Sequence, residues 1–149
     1  MAFSVENKRT LITGGTSGIG YAVAKRFAEN GANVIISGRR DTGAEIAIGI
    51  GARFVRADMM IDADIEALVN TSVDMLGGLD VVVNNAGIAE SNGGIEKSKP
   101  AEYEDQTSVN MHAAYRILQL VPRHMPAGGS IINTASISGN WGEPNLAIY

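Results

Sequence analysis

Five short apolar runs occur along the chain and predict five β-strands. They occupy residues 10–13, 34–37, 53–56, 80–84 and 130–133. Their apolar residues stand next to each other rather than alternating with polar ones. Such continuous runs are typical of strands that are buried on both faces of a sheet.

The stretches between these runs have the periodicity of amphipathic helices. A first helix is predicted to begin at Ile19 and to stop before Gly31, and a second spans residues 65–76. The longest spans residues 101–125, with a kink at Pro122 because proline cannot continue the backbone hydrogen bonding of a helix. The predicted buried face of the first helix consists of Ile19, Val23 and Phe27.

Strands and helices alternate along the chain, and this order predicts an α/β fold. Right-handed crossovers between successive strands then build a parallel sheet, in one domain over residues 1–149. The most polar loop, residues 87–100, follows the fourth strand. Because open α/β sheets bind ligands at the carboxyl ends of their strands, we expect a ligand site beside this loop.

Composition narrows the classes of function that remain. Twelve basic and 16 acidic residues give a formal net charge of −4, so we expect no nucleic acid partner. The chain has no cysteine, which excludes disulfides, thiolate metal sites and cysteine nucleophiles, and we expect no metal site. No apolar run approaches the ~20 residues that span a bilayer, and the first residues do not resemble a signal peptide. The expected location is therefore the cytoplasm, with no membrane contact.

A glycine-rich turn joins the first strand to the first helix, with glycines in the spacing G-x-x-x-G-x-G. Gly14 permits a tight turn, Gly18 lets a pyrophosphate approach the backbone, and Gly20 lets the helix pack closely. Free N–H groups and the positive end of the helix then face the phosphates. The candidate cofactor-binding residues of this turn are Gly14, Thr16, Ser17, Gly18, Ile19 and Gly20.

Two other interpretations of this turn are weaker. A P-loop also cradles phosphate between a strand and a helix, and Gly15 and Gly20 have its spacing. The chain has Tyr21 and Ala22 where a P-loop requires lysine followed by serine or threonine, so NTPase chemistry is disfavoured. A purely structural turn between strand and helix is the remaining alternative.

Together with five further matches in the same order, the glycine turn resembles the classical short-chain dehydrogenases/reductases. Residues 84–87 read Asn-Asn-Ala-Gly, like the second signature of that family, and Asp58 matches its adenine-contacting position. The resemblance covers the whole chain and implies a doubly wound, Rossmann-type sheet of which five of seven strands are present. It adds as candidate cofactor-binding residues Asp58, Met59, Asn85, Ala86 and Gly87.

The resemblance also implies three catalytic residues. Asn110 matches the catalytic asparagine, Ser136 the serine that hydrogen-bonds the substrate oxygen, and Tyr149 the tyrosine that moves its proton. Ser138 is a rival to Ser136, but the family spacing to the tyrosine favours Ser136. A tyrosine acid/base needs its pKa lowered from about 10 towards the working pH. In the family, this pKa is lowered by a lysine four residues after the tyrosine and by the positive nicotinamide ring. The resemblance implies that Asn110 helps to hold that lysine through a water.

The sequence stops at Tyr149, so the family's lysine would stand at a position 153 that it does not contain. We expect the whole protein to continue beyond this residue. The alternatives are a truncated product with little activity, and a binding or scaffolding fragment that keeps the dinucleotide site without chemistry.

The turn after the second strand bears on the choice of cofactor. Gly38 stands where an NAD-type aspartate would accept from the ribose hydroxyls, and Arg39 follows at once. The planar guanidinium of arginine suits a 2′-phosphate, so NADP(H) is favoured. Two residues leave NAD(H) as an alternative. Asp41 could turn towards the ribose, and Ser17 stands where many NADP-dependent members of the family have a basic residue.

The resulting hypothesis is an oxidoreductase that transfers a hydride between NADP(H) and a small carbonyl or alcohol substrate. A non-catalytic dinucleotide-binding or interaction module is the main alternative, and an isomerase, dehydratase or epimerase would have the same cofactor motifs. Because family members pair through the long helix, the resemblance also implies a homo-oligomer. It does not predict the substrate itself or the roles of Trp141 and Glu143.

Overall fold

A computed structural model describes residues 4–90 and 93–149, and it contains the predicted five-stranded parallel sheet. Ser91 and Asn92 of the predicted polar loop, and the first three residues of the chain, lie outside the described residues. The strand order is β3-β2-β1-β4-β5. The strands are β1 (Arg9–Ile12), β2 (Asn33–Gly38), β3 (Arg53–Arg56), β4 (Val81–Asn84) and β5 (Ser130–Asn133).

The helices cross between the strands and cover both faces of the sheet. They are α1 (Gly18–Glu29), α2 (Gly43–Gly49), α3 (Asp62–Leu76), α4 (Pro100–Thr107) and α5 (Ala113–Leu120). A π-helical segment, Ser108–His112, joins α4 to α5, so that the two form one long interrupted helix. The α/β Rossmann-type fold predicted from the sequence is therefore confirmed.

Alternate residues of the central strands enter two separate hydrophobic cores. Leu11 of β1 packs in the core that α3 and α5 cover, whereas its neighbour Ile12 packs in the core that α1 and α2 cover. Because both faces are covered, β1 and β2 carry apolar residues on both sides, as their continuous apolar runs predict. The edge strands β3 and β5 are only partly buried.

Three features of the helices differ from the sequence prediction. The long helix ends at Leu120, and Pro122 opens a separate 3₁₀ turn instead of kinking the helix, because its ring has no N–H to donate. Ile19 is 67% exposed, and the fully buried residues of α1 are Gly20 and Ala24. The seven-residue α2 was not predicted, since it is too short to show a helical period.

An ion pair joins the start of β1 to the loop before β4. The Nε and Nη2 atoms of Arg9 donate to the two carboxylate oxygens of Asp80 over 2.8 and 2.9 Å, and the backbone N–H of Arg9 donates to the same carboxylate over 2.9 Å. These bonds hold the pKa of Asp80 down to about 2. The guanidinium also donates to the carbonyl of Gly77 at the end of α3, so three elements meet at this pair.

We expect Asp80→Asn to lower the free energy of unfolding by about 1–2 kcal/mol near neutral pH. The pKa of Asp80 is lower in the folded state than in the unfolded state, so its stabilisation is present above about pH 4. It is lost as the pH falls towards 2. Urea denaturation at neutral pH and at pH 3 measures both effects. A variant as stable as the parent at neutral pH would contradict this account.

Within the described ranges, no helix is long and apolar enough to cross a membrane.

Candidate active site

A cavity of about 770 Å³ opens at the carboxyl ends of the central strands, beside the loop that follows β4. Fourteen of the fifteen site residues predicted from the sequence line it. Gly20 does not, because it is buried in the first turn of α1. The predicted residues that line the cavity are Gly14, Thr16, Ser17, Gly18, Ile19, Arg39, Asp58, Met59, Asn85, Ala86, Gly87, Asn110, Ser136 and Tyr149.

The glycine turn brings the backbone of α1 to the floor of this cavity. Gly18 has a φ of +55°, and no atom lies within 4 Å of the place where a Cβ would stand, so a side chain there would enter open space. A Cβ on Gly20 would instead collide with the carbonyl of Gly14 and the amide of Asn85. Gly20 thus permits close packing of α1 against the turn and β4, whereas Gly18 leaves the backbone accessible.

The amino end of α1 faces the cavity without protein groups that would neutralise it. The side chain of Ser17, the residue before the helix, makes no capping hydrogen bond, and the first turn contains no acidic residue. The exposed N–H groups and the helix dipole therefore supply a positive site at the cavity floor.

Thr13 connects the glycine turn to the end of β4, a role that the sequence did not reveal. Its buried hydroxyl accepts hydrogen bonds from the backbone N–H groups of Asn85 and Ala86, each over 3.0 Å. In the other direction, the Nδ2 of Asn85 donates hydrogen bonds to the carbonyls of Thr13 and Gly14 over 3.1 and 3.4 Å. The two cavity-lining segments are thereby held in fixed positions.

Asn110 lies in the π-helical segment and binds the loop after β4. Its Oδ1 accepts from the backbone N–H of Ile88 and its Nδ2 donates to the carbonyl of the same residue, both over 2.8 Å. Both ends of the amide therefore bind this loop. The further role towards a lysine that the sequence resemblance implies stays a prediction.

Ser136 and Tyr149 line the cavity and follow β5 in the chain, and β5 is two strands away from β1, which the glycine turn follows. The Oγ of Ser136 accepts from the backbone N–H of Ser138 over 3.2 Å, which leaves its own proton available. Ser138 donates its hydroxyl to Glu143 over 3.1 Å and does not line the cavity, so the geometry favours Ser136 over its rival. Tyr149 also lines the cavity and is 42% exposed.

The far end of the cavity lies between the turns that follow β2 and β3. A Cβ on Gly38 would stand 2.9 Å from the side chain of Thr16, so this position has room only for glycine unless Thr16 moves. Arg39 lines the cavity beside it. Asp58 is fixed by two hydrogen bonds, from its backbone N–H to Asp64 and from the backbone N–H of Met60 to its own carboxylate.

The family model for short chain dehydrogenases matches residues 8–149. The chain belongs to the short-chain dehydrogenase/reductase family. It is 38% identical to an NADP-dependent (R)-specific alcohol dehydrogenase of Lentilactobacillus kefiri, over 100% of this chain and 62% of the relative. It is 31% identical to a 3alpha-hydroxysteroid dehydrogenase of Mediterraneibacter gnavus, over 100% of this chain and 63% of that protein.

Solved structures of the family superpose on the whole described fold. A 3-ketoacyl-(acyl-carrier-protein) reductase from Brucella melitensis, complexed with NADH, matches with a TM-score of 0.92 and 37% identity, over 98% of this chain and 64% of that one. A short chain dehydrogenase from Burkholderia cenocepacia, in complex with NADP, matches with a TM-score of 0.91 and 30% identity, over 99% and 63%. The chain thus spans about three fifths of the length of these relatives, and their names show dehydrogenases and reductases.

Proposed function

We propose that the whole protein is an NADP(H)-dependent oxidoreductase that interconverts a small carbonyl compound and the corresponding alcohol. The observation that carries this proposal is the convergence in one cavity of the glycine turn, Arg39, Ser136 and Tyr149. These residues lie up to 135 positions apart in the chain, and the parallel sheet brings them to one edge. The family relatives named above, which are dehydrogenases and reductases, support the same class of reaction.

The cavity fits a dinucleotide in shape and in charge. The open space at Gly18 and the uncapped amino end of α1 suit a pyrophosphate, which would accept hydrogen bonds from the backbone there. Asp58 and Met59, which follow the edge strand β3, would contact the adenine, and Asn85 to Gly87, which follow β4, also line the cavity. When bound, the nicotinamide supplies or accepts the hydride.

Ser136 and Tyr149 would handle the substrate oxygen. Because Ser136 already accepts from a backbone N–H, its hydroxyl proton is free to be donated to the substrate oxygen as negative charge develops there. Tyr149 would give up or take the proton on that oxygen, as a general acid in reduction and a general base in oxidation. Asn110 would act through the loop after β4, which it holds by both amide atoms.

Two observations at the ribose end support NADP(H) over NAD(H). Arg39 lines the cavity, and its guanidinium suits a 2′-phosphate. Position 38, where an acidic residue would serve the ribose of NAD, is a glycine, and a Cβ there would stand 2.9 Å from the side chain of Thr16. The names of relatives include both NADP and NADH, so the preference rests on these contacts of this chain.

A homo-oligomer formed through the long helix also belongs to this proposal. Met111, Tyr115 and Leu118 are exposed large apolar residues spaced four and three apart, so they share one face of the helix. Contact with a second copy would remove this face from water.

Gly18→Ala tests the proposed dinucleotide site. We expect the dissociation constants of both NADPH and NADH to rise about tenfold or more, because the new methyl group enters the space of the pyrophosphate. Fluorescence titration of the purified chain measures both constants.

Gly51→Ala is the matched control, since Gly51 also has a positive φ, +71°, and open space around it, but does not line the cavity. Both variants place a side chain on a residue with a positive φ, so a loss confined to Gly18→Ala locates the site. Equal binding by both variants would refute the pyrophosphate assignment.

A further inference from the structure

The turn that carries Arg39 is held by a row of hydrogen bonds to four consecutive carbonyl oxygens. Those of Ser37, Gly38 and Arg40 accept from backbone N–H groups over 3.0 to 3.1 Å. The carbonyl of Arg39 accepts instead from a side chain, the Nε of Arg56, over 3.3 Å. Among these four bonds, the one at Arg39 can be removed by substituting a side chain.

Arg56 stands at the end of β3, opposite Gly38 in the parallel register. Its side chain is 70% exposed and does not line the cavity. It therefore contributes little to the core and does not touch the proposed cofactor directly. The side chain of Arg56 contacts Arg39 and Asp41 of the turn. Substituting Arg56 should therefore change the positions of these two residues.

The same guanidinium pairs with the one carboxylate of the turn. The Nε of Arg56 lies 3.6 Å from the Oδ1 of Asp41, a residue whose side chain is 94% exposed. In this arrangement the carboxylate is directed to Arg56 on β3. Released from Arg56, Asp41 would be free to approach the ribose, where its charge would repel a 2′-phosphate and accept from a free 2′-hydroxyl.

We infer that Arg56 is a positioning residue for cofactor specificity: it fixes the backbone of Arg39 and neutralises Asp41, and thereby favours a phosphorylated ribose over an unphosphorylated one. This inference rests on the proposed NADP(H) site. Arg56 does not line the cavity, and it would act by holding the turn in the arrangement that binds the 2′-phosphate.

A double-mutant cycle tests the inference by dinucleotide binding alone, without turnover. The dissociation constants of NADPH and NADH are measured for the parent chain, Arg56→Ala, Asp41→Asn and the double variant. We expect Arg56→Ala to lower the preference for NADPH over NADH about tenfold, and Asp41→Asn alone to change it by less than about twofold. In the Arg56→Ala background, Asp41→Asn should restore at least about threefold of the lost preference.

Arg53→Ala is the control for the loss of a positive charge on the same strand. Its guanidinium donates to the carbonyl of Met75, away from the turn, and the variant should keep the parent preference. An unchanged preference in Arg56→Ala would overturn the inference, and so would an effect of Asp41→Asn that is the same in both backgrounds. A parent chain that prefers NADH, or binds neither dinucleotide, would instead overturn the proposed cofactor and the inference with it.

Discussion

Replacing Tyr149 by phenylalanine is expected to reduce carbonyl-dependent oxidation of NADPH by the whole protein about 10²- to 10⁴-fold. The substitution removes the hydroxyl that would exchange a proton with the substrate oxygen, and it keeps an aromatic ring at this cavity-lining position. The dissociation constant of NADPH should therefore stay within about twofold of the parent value. Loss of NADPH absorbance in the presence of a panel of ketones and aldehydes measures the rate.

Tyr103→Phe supplies the matched control for this experiment. Tyr103 lies on α4, is 59% exposed and does not line the cavity, so losing its hydroxyl should leave the rate unchanged. A Tyr149→Phe protein that keeps the parent rate would contradict the acid/base role. Cofactor binding with no turnover by the unsubstituted whole protein would favour a non-catalytic dinucleotide-binding module instead.

Arg39→Ala should weaken NADPH binding about 10- to 100-fold and NADH binding by less than about twofold. A charge-assisted hydrogen bond between Arg39 and the 2′-phosphate would stabilise bound NADPH by about 1.5–3 kcal/mol. NADH has no 2′-phosphate, so its binding does not depend on this bond. Parallel fluorescence titrations with the two dinucleotides give the ratio. Equal losses for both would mean that Arg39 contributes only general positive charge.

The sheet and the glycine turn could be predicted from the sequence because their signals are local. The predicted runs of β3 and β5 coincide with the strands to the residue, and α3 ends at Leu76, as predicted, before Gly77, whose φ is +77°. The glycine spacing similarly predicts a tight turn at Gly14 and an accessible backbone at Gly18. Each of these features depends on neighbouring residues in the chain.

Contacts between distant segments were not predictable in the same way. Thr13 carries no sequence signal that it bridges to Asn85 and Ala86, because its partners are 72 and 73 positions away. The exposure of Ile19 has a similar cause: its position in the apolar period suggested the core, but the open cavity lies in front of it.

Asn110 is a candidate site residue whose contacts the sequence did not show. Both ends of its amide bind Ile88 in the structure, and the role towards a lysine that the family resemblance implies stays a prediction. Asp41 is a second example. From the sequence it was an alternative ligand for the ribose, and the structure pairs it with Arg56.

The decisive measurement is a side-by-side titration of NADPH and NADH against the purified 149-residue chain. If the glycine turn and Arg39 form the proposed cofactor site, both dinucleotides bind saturably and NADPH binds at least about tenfold more tightly. Gly18→Ala should then weaken the binding of both. A folded chain that binds neither dinucleotide would rule out this site.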